Sequence, residues 1–179
     1  MKHTLYLIGM TIAGLTLSAC HSNHSKTTPT QVAASQSIET TDTLPDMWIA
    51  NSQRDKVSTA QEIKRHTLTI IDFWASWCGP CMAEMPHLVA LHEAYATKGL
   101  GIIGISLDND YNAWQAAIES QGMAWLQLSE LRGWDTEAAQ TNGVHSIPHT
   151  IIVDNNARIL ATGLRGDALK QFIEKKLGE

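Results

Sequence analysis

Cysteine is scarce in this chain, with three in 179 residues, and cations are outnumbered, 13 Lys and Arg standing against 18 Asp and Glu. A formal net charge of -5, with no Lys/Arg run to build a local patch, excludes nucleic acid as a partner. The apolar stretch at residues 5–17 is too short to span a bilayer comfortably. No second Cys pair is present to complete a zinc site. Covalent haem attachment would need His directly after the second thiol of the pair, and Met82 stands there. What remains, 44% hydrophobic and 17% charged, supports one globular domain with a full core once the leader is set aside.

The informative stretch is Trp77-Cys78-Gly79-Pro80-Cys81, two thiols placed to close a reversible disulfide. Before it, Leu68-Thr69-Ile70-Ile71-Asp72-Phe73-Trp74 is apolar and β-branched except at Thr69 and Asp72, which predicts a central strand buried on both faces. After it, Met82, Met85, Leu88, Val89, Leu91, His92 and Tyr95 recur at helical spacing, so Gly79 and Pro80 fall in the first helical turn, where a missing amide proton costs nothing. Unpaired amides and the positive end of the helix dipole favour an anion there and lower the pKa of Cys78, the expected nucleophile. Cys81, one turn further in, is the expected resolving thiol. A purely structural disulfide is the competing reading of such a pair.

Asp72 is a carboxylate in a run of Ile and Phe. Desolvation would raise its pKa and suit it to accept the proton of Cys81; alternatively it is a buried Asp satisfied by local hydrogen bonds. Trp77 is expected to form a lip beside Cys78, and Trp74 to pack in the core.

The segment Asp72-Phe73-Trp74-Ala75-Ser76-Trp77-Cys78-Gly79-Pro80-Cys81 resembles the active site of thioredoxins, with Asp six positions before the first Cys and Pro86 eight positions after it. The wider pattern, from about Leu44 to the C-terminus, resembles the exported TlpA-like and ResA-like thiol-disulfide oxidoreductases. That resemblance implies an α/β, thioredoxin-like fold: a central mixed sheet flanked by helices, with an N-terminal hairpin and a TlpA-type insertion. It implies a cis-proline at Ile147-Pro148, set against the cysteines, with the Ile147 backbone free to pair with an extended substrate chain. Glu84 matches an acidic residue near the ResA-like active site, and on helical spacing it lies on the face of Cys81 and is placed to share its proton. His149 departs from the Thr common after this proline; it either tunes the thiolate or is an inert sheet-end His. Many TlpA-like proteins carry Asn where this chain has Asp72.

The N-terminus resembles a bacterial lipoprotein signal. Lys2 supplies the positive region, residues 5–17 the apolar one, and Leu17-Ser18-Ala19-Cys20 looks like a lipobox with Cys20 as the lipidated residue. An ordinary secretory signal or an uncleaved anchor is the alternative. Residues 1–19 then form the signal peptide, 20–43 the lipidated Cys and a polar tether, and 44–179 the thioredoxin-like domain. Setting Cys20 aside leaves an even pair of thiols. His21 and His24, in the tether, are assigned no metal site.

Along the domain, residues 44–49 and 56–59 predict the hairpin, with 51–55 as its turn. Residues 101–107 predict a second buried strand in a right-handed β-α-β unit. A helix is expected over 111–121, an extended piece at 125–128 and a helical turn or two at 136–141, together resembling the TlpA-type insertion. A hairpin of 151–153 with 158–162 follows, and Asp167 is expected to cap a last amphipathic helix through Leu177. The resulting expectation is a thiol-disulfide oxidoreductase that needs no metal and no organic cofactor. Its partners would be disulfide-bearing exported proteins, a membrane electron donor of DsbD type, and the membrane itself through the lipid. The resemblance favours net reduction and, if the organism is Gram-negative, an outer-membrane location facing the periplasm, because His21 stands where a retention signal has Asp. Two readings compete: a non-turnover binding or assembly factor, for example in cytochrome c maturation, and a thiol peroxidase, which would usually have Thr just before its reactive Cys.

Overall fold

The computed structural model describes residues 42–178; the leader, Cys20, His21, His24 and nearly all of the tether lie outside the described residues. Five strands form the main sheet, in the order Leu126–Ser129, Leu100–Ser106, Leu68–Trp74, His149–Asp154 and Ile159–Thr162. The expected central strand, β3 (Leu68–Trp74), is buried at every position. It pairs in parallel with β4 (Leu100–Ser106), which pairs in parallel with β5 (Leu126–Ser129). On its other side lie the antiparallel strands β6 (His149–Asp154) and β7 (Ile159–Thr162). The sheet is therefore mixed.

Helix α2 (Gly79–Tyr95) leaves the end of β3 and buries Cys81, Met85, Leu88 and Leu91 along one stripe. Of these, Met85, Leu88 and Leu91 each contribute on the order of 1.5–3 kcal/mol by burial. Pro86 lies inside this helix, on its exposed side. A left-handed Gly99, φ 98°, ends the short 3-10 turn (Ala96–Lys98) that follows, where a side chain would strike Thr67. Helix α3 (Tyr111–Gln121) is capped by Asp110 and stopped by Gly122 at φ 66°.

The N-terminal hairpin is present as β1 (Trp48–Ala50) and β2 (Lys56–Ser58), with Asn51 accepting the amides of Gln53 and Asp55 in the turn. Thr59, expected in the strand, instead opens a short helix, α1 (Thr59–Ile63), because Ser58 caps it by accepting the amide of Gln61. After α3 the chain forms β5, a 3-10 turn (Gly133–Asp135) and α4 (Glu137–Thr141). Strand β6 begins two residues earlier than expected, since His149 and Thr150 pair with Phe73 and Asp72. The last helix, α5 (Gly166–Leu177), corrects the expected cap: Arg165 occupies the N-cap position, and Asp167 sits inside the first turn.

Candidate active site

Where β3 ends, the chain turns through residues 75–78 and enters α2 with Cys78 as its N-cap. Cys78 and Cys81 form a disulfide with Cα atoms 5.2 Å apart. The Cys81 N–H also donates to Cys78 Sγ at 3.2 Å, so the first sulfur lies on an otherwise unpaired helical amide. Cys81 is fully enclosed, whereas Cys78 keeps 6% of its surface open. That asymmetry is the one expected of an attacking thiol and a resolving thiol. Trp77 is exposed beside Cys78, and Trp74 is buried in the core, its Nε1–H donating to Gln127 Oε1 at 3.1 Å.

Asp72 lies in register with Gly104 of β4 and Thr150 of β6. It is buried, and neither carboxyl oxygen has a hydrogen-bond partner among the described residues. Local hydrogen bonds therefore do not account for it. Its pKa is pushed up from an ordinary 3.8 to about 7, first by loss of solvent and second by the charge of Glu84. A carboxyl poised near neutrality is suited to exchange a proton with a thiol.

Glu84 is positioned by contacts that helical spacing does not reveal. Its carboxylate accepts the N–H of Gly166, the first residue of α5, at 2.5 Å and stands 3.6 Å from His87 Nδ1. Its hydrogen bond thus runs to the neighbouring helix, and its charge reaches the site through Asp72. The Ile147-Pro148 bond is cis, and both residues are half-buried just before β6. His149 is half-buried too, opposite Phe73, with ring centroids 6.5 Å apart. Facing residues of an antiparallel pair project to one side, so His149 and Asp72 project to opposite faces of the sheet. Burial, and then the charge of Arg165, lower the pKa of His149.

Two residues of this region were missed in the sequence. Asp108, just past β4, is buried and accepts hydrogen bonds from Ser76, two residues ahead of Cys78. The available signal was a lone charge closing an apolar run at the carboxyl end of a parallel strand, where sites of open α/β sheets gather. A cleft of about 840 Å3 between the hairpin, α3 and α4 has neither cysteine in its lining. Cys78 lies outside that cleft, with the exposed Trp77 beside it.

A model of the Redoxin family, described as "Redoxin", matches residues 39–174. The chain belongs to the Redoxin family. It is 29% identical over 119 residues to the thiol:disulfide interchange protein HelX of Rhodobacter capsulatus, covering 66% of this chain and 64% of HelX. It is 26% identical over 107 residues to the thiol-disulfide oxidoreductase ResA of Bacillus cereus, covering 60% of each. The chain thus spans slightly less than two thirds of the length of these curated relatives. Among solved structures, a thiol-disulfide oxidoreductase from Bacteroides fragilis superposes with a TM-score of 0.71 at 30% identity, over 76% of this chain and 100% of the other. A C-terminal domain from Bacteroides thetaiotaomicron gives 0.71 at 28%, over 77% and 95%. This Redoxin is therefore a TlpA/ResA-like member of the thioredoxin superfamily with the thioredoxin-like fold.

Proposed function

We propose that this Redoxin is a thiol-disulfide oxidoreductase that reduces disulfides of exported proteins through Cys78 and Cys81. The observation that carries the reading is the Cys78–Cys81 disulfide at the N-terminus of α2, in a site whose buried Asp72 is held near neutrality. In the reduced protein the Cys78 thiolate attacks one sulfur of a client disulfide. That bond breaks, a Cys78-client mixed disulfide forms, and the other client sulfur leaves as a thiolate and is protonated. Cys81 then passes its proton to Asp72 and attacks the Cys78 sulfur, which expels the second client thiolate. The client gains two electrons and two protons, and the enzyme is left with the disulfide seen here. Trp77 and the backbone at Ile147, beside the cis Pro148, form the surface against which the client chain lies.

The lipobox-like Leu17-Ser18-Ala19-Cys20 supports lipid attachment at Cys20 after loss of residues 1–19, with 20–43 as a tether. In a Gram-negative organism His21 after that Cys favours the outer membrane, facing the periplasm. Exported compartments do not keep thiols reduced, so a membrane electron donor of DsbD type would recharge the pair. The test is capture: a Cys81→Ser protein forms stable mixed disulfides through Cys78 with exported clients, and wild-type protein reduces insulin disulfides. A Cys78→Ser protein with full biological activity would instead identify a non-turnover binder.

A further inference from the structure

Residues 75–78 connect the last paired residue of β3 to the first turn of α2, and they have no sheet partner of their own. The strand pairing is closed off by the Leu107 N–H, which donates to the Trp74 carbonyl at 2.8 Å. Beyond that point the connection is held by one internal bond, Cys78 N–H to the Ala75 carbonyl at 3.1 Å, and by Asp108. The Asp108 carboxylate accepts the Ser76 N–H at 3.0 Å and the Ser76 hydroxyl at 2.6 Å. It accepts the Ser106 hydroxyl at 2.7 Å, and its own N–H donates back to Ser106 Oγ at 2.9 Å. Its backbone carbonyl accepts the N–H of Gly133, at 3.4 Å, in the 3-10 turn that carries the exposed Trp134.

A carboxylate that is 1% exposed is costly to bury unless its oxygens are well bonded, and here every side-chain bond goes to the end of β4 or to the approach to Cys78. We infer that Asp108 is a positioning residue for Cys78: through Ser76 it fixes the turn that delivers this cysteine to the N-cap of α2. The inference rests on the thiol-disulfide reading above. Release of Ser76 lets the turn relax, and Cys78 then loses the Cys81 amide at 3.2 Å and the helix terminus that stabilise its anionic form.

Geometry and charge predict opposite signs, which makes the inference testable. Removing a carboxylate near a thiol by itself favours the thiolate and lowers the pH at which Cys78 becomes reactive. Losing the N-cap position raises it. Asp108→Asn can keep one oxygen for the Ser76 N–H and the Ser106 hydroxyl, and the Ser76 hydroxyl can turn to accept from the new amide. Asp108→Ala keeps nothing.

The experiment uses the full chain, reduced, with Asp72, Glu84, His149 and Arg165 intact in every variant so that their contributions cancel. Alkylation of Cys78 by iodoacetamide is followed against pH by peptide mass spectrometry, beside insulin reduction. Expected for D108A is a rate of insulin reduction lower by about tenfold or more, as for other displaced reacting groups, with the alkylation midpoint moved up. D108N should recover most of that loss, to within about threefold of wild type, because the bonds rather than the charge are retained. Ser76→Ala, which deletes one hydroxyl and leaves the Ser76 N–H on Asp108, should lose about threefold and carry the argument if D108A does not fold. The inference is overturned by a wild-type rate and midpoint in S76A, by equal loss in D108N and D108A, or by a midpoint that falls in D108A. Wild-type protein that reduces no disulfide removes the parent reading, while the alkylation midpoints, read without any client, still decide on Asp108.

Discussion

Replacing Asp72 by Asn should stabilise this Redoxin at neutral pH, although the residue is placed at the centre of the chemistry. The folded chain holds the Asp72 proton up to about pH 7, while an ordinary carboxyl releases it near 3.8, so the folded state binds more protons across that interval. The Asp72 contribution to stability therefore falls as pH rises from about 4 through about 7 and is level above, where both states are ionised. At about 1.4 kcal/mol per pH unit the interval corresponds to about 4 kcal/mol, an upper value that local relaxation reduces. Asn is as polar as the protonated acid but carries no charge at any pH. Its advantage should be close to zero at pH 4 and about 2–4 kcal/mol at pH 8. Denaturant unfolding of both oxidised proteins from pH 4 to 9 reads this directly: the two stabilities should diverge as pH rises and run parallel above about 8. Parallel curves over the whole range would refute the reasoning, because they would mean that Asp72 titrates alike in the folded and unfolded chain.

The kinetic side of the same substitution is separable. Without a proton acceptor for Cys81, breakdown of the mixed disulfide should slow by about 10²-fold near neutral pH, while its formation by Cys78 is little changed. A more stable protein that resolves more slowly is the joint signature.

Glu84→Gln removes the second cause of the raised Asp72 pKa, so the Asp72 carboxyl should titrate at lower pH in a carbon-13 NMR experiment; an unmoved midpoint contradicts the coupling. The same variant weakens a charged hydrogen bond to Gly166 and should cost about 1 kcal/mol of stability in unfolding measurements. For His149, whose pKa burial and Arg165 lower, the unfolded chain binds more protons below about pH 6.5. Wild-type protein should therefore lose stability relative to His149→Thr as pH falls below that value, and an unchanged difference at pH 5 and 8 speaks against it. At Gly104 an added Cβ would lie 2.1 Å from Gln127 Oε1, the acceptor of the Trp74 indole, so Gly104→Ala should cost about 1–3 kcal/mol through the lost bond; a wild-type unfolding midpoint rejects this.

The strand with Asp72 and the helix with the cysteines were legible because each is a local pattern: a buried apolar run, then apolar residues at helical spacing after a Gly-Pro start. The burial of Asp72 followed from its neighbours in sequence, and so did the direction of its pKa shift. Its lack of any partner did not, since only the folded sheet shows that Gly104 and Thr150 leave its oxygens unbonded. The start of α5 was misplaced for a similar reason. Asp167 has the chemistry of a cap, but the first amide of that helix is taken by Glu84, 82 residues away. Ser76 and Asp108 are 32 residues apart and belong to no periodic pattern. Asp72 and Asp108 are both acidic residues within or just beyond apolar strands, and both are buried. Asp108 is surrounded by hydroxyl and amide donors and holds a turn in place; Asp72 has none and is left able to take up a proton near neutrality. Neighbours in sequence predict that a carboxyl such as Asp72 is buried, but the donors that the fold does or does not bring to each carboxyl decide what it does.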